Sequence, residues 1–484
     1  MEQTLGELGT WSGGGTPSKA NKTYWQNGTV PWVSPKDMKS RRIRTAEDLI
    51  TDAAVAGSSA KYIPSNSILM VTRSGILAHT FPVAVNECRV TVNQDLKTLT
   101  PSACITADYV AWYLRAKNAQ ILKQCAKHGT TVASIDSDRL KKFPVPVAPL
   151  NEQGRIVEKI ETLFAQLDKG EEALRDVQTL LARYRQSVLK AAVTGQLTAD
   201  WRAENAQRLE HGRDLLARIL KTRRETWEGR GKYKEPIAAD VSNLPNLPNG
   251  WAWATLGQLL SKIEAGKNFR CEERPPGRDE AGIVKISAVT WDTFNENESK
   301  TILNEEKISP SLNIMPGDLL ISRANTIELV GASVVVDDIK KSLQISDKVL
   351  RLRSVAPIEH WINYVLKSSL GRGQIEAMAT GAQMSMRNIS QKNLEKIAIP
   401  LPPPEEIDVA LAHIRRTREE GSRILDSCRT ELTRSAALRQ SILKDAFAGR
   451  LVPQDPVDEP ASELLARIRA EASSTKKTRG KAVA

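Results

Sequence analysis

The chain has 484 residues, with 69 Lys and Arg against 57 Asp and Glu and a formal net charge of +12. That length is too great for one core and predicts about two to four domains, while the charge makes a polyanion the first partner to test. No run of about 18 apolar residues and no basic, apolar, small-residue leader occurs, which predicts a soluble intracellular protein. Five cysteines (Cys88, Cys104, Cys125, Cys271, Cys428) show no C-x-x-C pairing and the five histidines are dispersed, which argues for a reducing compartment and against a metal site.

In chain order, residues 1–150 mix strand and helix signals and form the basic region, with 18 basic and 11 acidic residues. They contain "LGEL" (5–8), the glycine-rich "WSGGGTPSK" (11–19), "GTVPWVS" (28–34) and "IPSNSILMVTR" (63–73). The last reads as a turn and a buried strand ending in hydroxyl plus arginine. The prolines of "KKFPVPVAPLNEQ" (141–153) and Gly195 are the start and stop of a helix. Between them Ile156, Ile160, Leu163, Leu167, Gly170, Leu174, Val177, Leu181, Tyr184, Val188 and Ala191 recur in steps of 4 and 3, a heptad pattern that predicts a long helix over 151–197. Residues 198–250 form a connector that carries "DLLARILKT" (214–222).

The second half repeats the first. "RQSVLKAAVTGQL" (185–197) returns as "RQSILKDAFAGRL" (439–451), 254 positions later, with eight of thirteen residues identical. Residues 251–404 are a second mixed region of nearly balanced charge, where "LGQL" (256–259), "GIVKIS" (282–287) and "IMPGDLLISR" (314–323) follow in the same order. "EKIAIPLPPPEEI" (395–407) and Gly449 bracket a second helix over 405–451. Its stripe of Leu411, Ile414, Leu425, Cys428, Leu432, Ser435 and Ile442 is interrupted by Arg418 and Arg439. Residues 452–484 echo the connector in "ELLARIRAE" (463–471) and end in a basic tail expected to be disordered. The predicted fold class is α+β (mixed α/β). Two globular domains are separated by two long antiparallel helices in a coiled coil, each up to roughly 67 Å, as a pseudo-two-fold, circularly arranged repeat whose ends lie near each other.

Signatures of catalysis are missing. There is no G-x-x-x-x-G-K-[ST] loop, no G-x-G-x-x-G register, no Asn-Pro-Pro-aromatic tetrapeptide, and no G-x-S-x-G, H-E-x-x-H or Cys-His pattern. What remains is positioning and reading, because Arg and Lys bind phosphates while Arg, Asn, Gln and Ser also reach base edges. The candidate DNA-binding residues are Lys36, Lys39, Arg41, Arg42 and Arg44, then Arg73, Ser74 and His79, in the first region. In the second they are Lys267, Arg270, Arg274 and Arg278, then Arg323, Asn325 and Thr326. The helical core is Ile156, Ile160, Leu163, Leu167, Leu174, Val177, Leu181, Val188, Leu411, Ile414, Leu425, Leu432 and Ile442.

On "GGTPSK", "YWQNGTVPWVSPKDM", "LPNGWAWATLG" (247–257) and the paired "RQSVLKAAVTGQL" and "RQSILKDAFAGRL", the chain resembles the specificity subunits of type I restriction–modification systems. The resemblance implies two target-recognition domains, each reading one half of a bipartite, asymmetric double-stranded DNA site, with the helices as the ruler between them. It also implies two methyltransferase subunits docked on the helices, restriction and translocase subunits joined through them, and a prokaryotic cytoplasmic location. S-adenosylmethionine, ATP and Mg are expected on those partners and no cofactor or metal on this chain, which would be non-catalytic. The alternative is a coiled-coil scaffold with no DNA-reading role. It accounts for the helices but not for the basic first region or the two matched globular domains.

Overall fold

The computed structural model describes residues 2–467 apart from 128–131, 230, 291–292, 382–385 and 465. The chain divides into two compact units, residues 1–174 with 429–484, and residues 175–428. The expected disorder of the basic tail falls on 473–484, outside the described residues.

In the first unit the strand Glu2–Thr4 pairs antiparallel with Pro144–Pro146, which brings the start of the domain to the foot of the long helix Leu150–Val193. Thr4 and Glu7 form a capping box that ends the first strand at once. A five-stranded sheet follows, ordered Gly9–Gly13, Leu96–Pro101, Ile68–Val71, Val83–Asn86, Arg42–Ile43. Its last pair is parallel and the others antiparallel. Ile68, Leu69, Met70 and Val71 are all buried, so this strand reads as a continuous apolar run because both its faces are covered. A smaller sheet is ordered Asp48–Ile50, Val30–Val33, Thr91–Val92.

The core of this unit continues into Ile156, Ile160 and Phe164 of the first long helix and into Ile442, Leu443, Ala446 and Leu464. Here the two helical segments run antiparallel, since Arg439 lies over the Phe164 ring while Ser435 donates to Glu171 at 2.7 Å. Arg439 breaks the apolar stripe in sequence yet does not break the packing. Its guanidinium meets Asp168 at 2.8 Å and Glu171 at 2.9 Å.

The second unit is built the same way. Ala252–Thr255 pairs with Ala398–Leu401, and Thr255 with Gln258 forms the matching capping box. The main sheet is ordered Leu260–Ala265, Val349–Ser354, Leu319–Ser322, Ser333–Val335, with no counterpart of Arg42–Ile43 among the described residues. The smaller sheet is ordered Cys271–Glu272, Ser299–Ile302, Ala281–Val284, Ser342–Gln344. Its last pair is parallel, as is the matching pair in the first unit. Val188, Ala192 and Val193 pack in one core with Ile407, Ala410, Leu411 and Ile414 of the second long helix, Pro404–Ala446.

Both long helices stop as the sequence predicts. Gly195 and Gly449 take φ of +71° and +72°, the left-handed step that ends a helix at low steric cost. Of the predicted stripe, Ile156, Ile160, Val188, Leu411, Ile414 and Ile442 are buried and Leu163, Leu167, Leu174, Leu181, Leu425 and Leu432 half-buried. Val177 is a correction to that stripe, since it lies exposed, as does Tyr184. A repeat of 3.5 residues drifts around an α-helix, so not every stripe position faces a neighbour.

The connectors correspond at three positions. Leu215 is buried in the second unit's core and Leu464 in the first unit's. Arg218 pairs with Glu210 within its connector, and Arg467 pairs with Glu459, likewise eight positions before it.

Candidate nucleic-acid interface

In the second unit a groove opens between the smaller sheet and the short ladder of Ala324–Asn325 with Arg387–Asn388, lined by Phe269, Lys285, Lys300, Asn325, Lys348 and Asn388 among others. Lys285 and Lys300 reach it from neighbouring strands and share Glu273, at 3.6 and 2.5 Å. Hydrogen bonding from Lys300, helped by Lys285, holds the Glu273 carboxyl below its ordinary range. Asn325 is set by the short ladder Ala324–Asn325 with Arg387–Asn388. Arg323 fixes the floor, where its backbone N–H donates to Lys348 O at 2.9 Å and its Nε to Asn388 Oδ1 at 3.4 Å. Amide and ammonium groups around an aromatic ring suit a polyanion with base edges. Phe269, Lys285, Lys300, Lys348 and Asn388 escape sequence reading because they are scattered over some 120 positions with no spacing of their own.

The first unit repeats the scaffold with other side chains. Arg73 N–H donates to Asp95 O at 3.2 Å, as Arg323 does to Lys348, so Asp95 stands where the second unit has a lysine. Arg73 also bridges to Ser134 in the place of the Ala324–Asn325 ladder. Ser74 caps the short helix Gly75–Ala78 and His79 ends it. The two glycine turns, which sequence does not align, also coincide. A Cβ on Gly14 would lie 1.7 Å from Val92 O, and one on Gly266 1.9 Å from Ile345 O, so each turn needs a glycine against the same strand.

The other candidates separate into engaged and open groups. Arg42 is half-buried among Asp108 (3.0 Å), Glu161 (3.6 Å) and Glu87 (3.8 Å), which ties the domain to the first long helix. Arg41 lies over the Trp112 ring at 5.0 Å. Arg44 pairs with Glu87 and Lys36 with Asp48 (3.0 Å) and Glu47 (3.2 Å). In the second unit Arg274 sits between Glu280 (2.7 Å) and Glu272 (3.0 Å), and draws the Glu280 carboxyl down to about 2. Lys39, Arg73, His79, Lys267, Arg270 and Arg278 are exposed. Thr326 donates its backbone N–H to Asn325 Oδ1 at 2.8 Å.

Among the described residues no group of His, Cys, Asp and Glu could hold a metal ion, and no helix is long and apolar enough to cross a membrane.

Residues 1–174 match the family described as the type I restriction modification DNA specificity domain. The chain is 45% identical over 171 residues to the EcoR124I/EcoR124II specificity subunit of Escherichia coli, covering 35% of this chain and 42% of that one. It is 27% identical over 354 residues to the E. coli EcoEI specificity subunit, covering 63% and 58%. The chain is similar to type I restriction specificity subunits, through residues 1–174 in the family match and over 63% of its length in the EcoEI relative. The fold agrees with a solved structure concerning complex assembly and conformational transition of the type I R-M system (TM-score 0.59, 19% identity, 93% of this chain and 98% of that one). It agrees also with the HsdS subunit of Thermoanaerobacter tengcongensis (TM-score 0.52, 18% identity, 93% and 97%). The first two sequence relatives are matched over 42% and 58% of their own length, so the similarity to each is partial.

Proposed function

We propose that this chain selects the DNA address of a type I restriction–modification complex and performs none of its chemistry. Each recognition domain reads one half of a bipartite site. The long helices set the spacer and dock two methyltransferase subunits, which hold S-adenosylmethionine and methylate adenine. ATP and Mg belong to restriction subunits that join through the methyltransferase.

One observation carries this reading. The same two-sheet scaffold occurs twice, and at matched backbone positions it presents different side chains, Lys348 against Asp95 and the Ala324–Asn325 ladder against Arg73. A shared scaffold with changed reading groups is what two half-sites of different sequence require. Two equivalent partners are accommodated by the repeated helices, connectors and terminal glycines, because a chain offers two identical docking surfaces only by repeating them.

The test reconstitutes the chain with its methyltransferase and maps methylated adenines, alongside salt-titrated protection of duplex DNA. Exchanging residues 1–150 for those of a relative is expected to change one half-site and leave the other. A change in both halves would overturn the modular reading. The absence of sequence-selective protection at any salt would favour the scaffold alternative.

A further inference from the structure

One difference between the two units lies at the edge of the main sheet. In the first, Arg42–Ile43 adds in parallel to the outer edge of Val83–Asn86, with Val85 N–H donating to Arg41 O (3.0 Å) and Glu87 N–H to Ile43 O (2.9 Å). Arg42 thereby enters a cleft between the helix Ala107–Ala116 and the first long helix, where Asp108 and Glu161 receive it.

The second unit has the same cleft between the helix Glu359–Lys367 and the second long helix. The correspondence is fixed by hydrogen bonds. Tyr109 donates to Pro146 O at 3.0 Å and Trp361 to Pro400 O at 2.8 Å, and the long helices match at the offset of 254. His360 therefore stands in the place of Asp108, Lys367 in that of Arg115, and Arg415 in that of Glu161. Of the three carboxylates that hold Arg42, Asp108 and Glu161 are replaced by His360 and Arg415, while Glu87 keeps an acidic counterpart in Asp337. Among the described residues no strand lies on the outer edge of Ser333–Val335, and the cleft beside it is lined by His360, Lys367, Arg415 and Arg418 together with Asp337 and Glu419.

We propose that this edge and cleft take an extended, carboxylate-bearing segment of a protein partner, which adds as a parallel strand and places an acidic side chain between His360 and Arg415. The first unit shows the geometry with a basic strand of its own. Open strand edges select polypeptide, since they offer backbone donors and acceptors in ladder register, which distinguishes this occupant from DNA phosphates. Burial, then Arg415, Arg418 and Lys367, hold the His360 imidazole below its ordinary value, with Asp337 opposing. A carboxylate beside it favours the imidazolium, so binding tightens as pH falls. The inference rests on the partner-docking role proposed above.

Hydrogen exchange of the full chain, alone and assembled with its methyltransferase subunit, tests it. Slowed exchange is expected at the outward amides of Val335 and Asp337, with no change at Val336, whose N–H already bonds Asp318 O at 3.0 Å. Arg415→Glu, which restores the charge of the first unit, is expected to weaken assembly about tenfold, more at pH 6 than at pH 8, while Arg415→Lys assembles normally. Unchanged Val335 and Asp337 amides on assembly, or normal assembly of Arg415→Glu, would overturn the proposal. Protection of the cleft by a short duplex alone would assign it to DNA and overturn it equally. Failure of the address-reading role shows separately, as loss of site-selective methylation by the unsubstituted complex.

Discussion

At the foot of each long helix, 254 positions apart, a glutamate is buried, and the two units treat it differently. Glu406 in the second unit receives Thr198 Oγ1 (2.6 Å), Arg202 Nη1 (2.6 Å) and Trp251 Nε1 (2.9 Å). In the first unit Glu152 is nearly as buried, but the position matching Thr198 is Val452. The neighbouring Arg155 instead pairs with Asp458 at 2.6 Å. The same residue is therefore a satisfied anchor in one copy and a carboxyl pushed above its ordinary range in the other, chiefly by burial, with Arg155 opposing and Asp458 adding to the shift. Duplicated sequence preserves the side chain more faithfully than its environment.

Substitutions at these positions sharpen the contrast. Glu406→Ala removes the buried acceptor shared by Thr198 Oγ1, Trp251 Nε1 and the half-buried Arg202 and is expected to destabilise the second unit by about 3–5 kcal/mol in denaturant titration; a loss no greater than that of Glu152→Ala would erase the distinction. Arg42→Ala removes a half-buried contact to three carboxylates and is expected to lower stability by about 1–2 kcal/mol while leaving the salt slope of DNA binding unchanged. Lys348→Ala is expected to do the reverse, leaving stability alone and reducing that slope by about 1. The smallest effect is that of Glu152→Gln. A carboxyl raised in the native state binds its proton more tightly there than in the unfolded chain, so its penalty is absent at low pH and grows as pH rises toward the native value. Glu152→Gln is thus expected to raise stability at neutral pH by under about 1 kcal/mol and to steepen the acidic limb of the stability–pH curve.

The repeat itself was legible in the sequence, because matched tetrapeptides, helix-stop glycines and strand patterns are local signals. Gly195 and Gly449 act within a few positions of themselves, whereas the capping boxes of Thr4 with Glu7 and Thr255 with Gln258 emerge only in the structure. The candidate site was legible only in outline. Asn325 lines the groove, and Arg323 reaches it only through its bond to Asn388. The Arg41, Arg42 and Arg44 cluster reads as a phosphate patch, yet the carboxylates beside Arg42 include Glu161, over a hundred positions away. Charge density along a chain does not reveal which charges meet in space. Val177 fell outside the predicted packing for the related reason that periodicity fixes a face and not what covers it.

The core of the first unit joins residues 1–174 to Ile442, Leu443, Ala446 and Leu464, and Arg155 meets Asp458 across 303 positions. The second unit is contiguous in sequence. During synthesis the later half therefore has everything it needs to fold first, while the earlier half waits for the last helix to emerge with its side of the core uncovered. The order of folding runs against the order of translation, and a chain stopped short of Ile442 would hold one finished domain and one with an open apolar face.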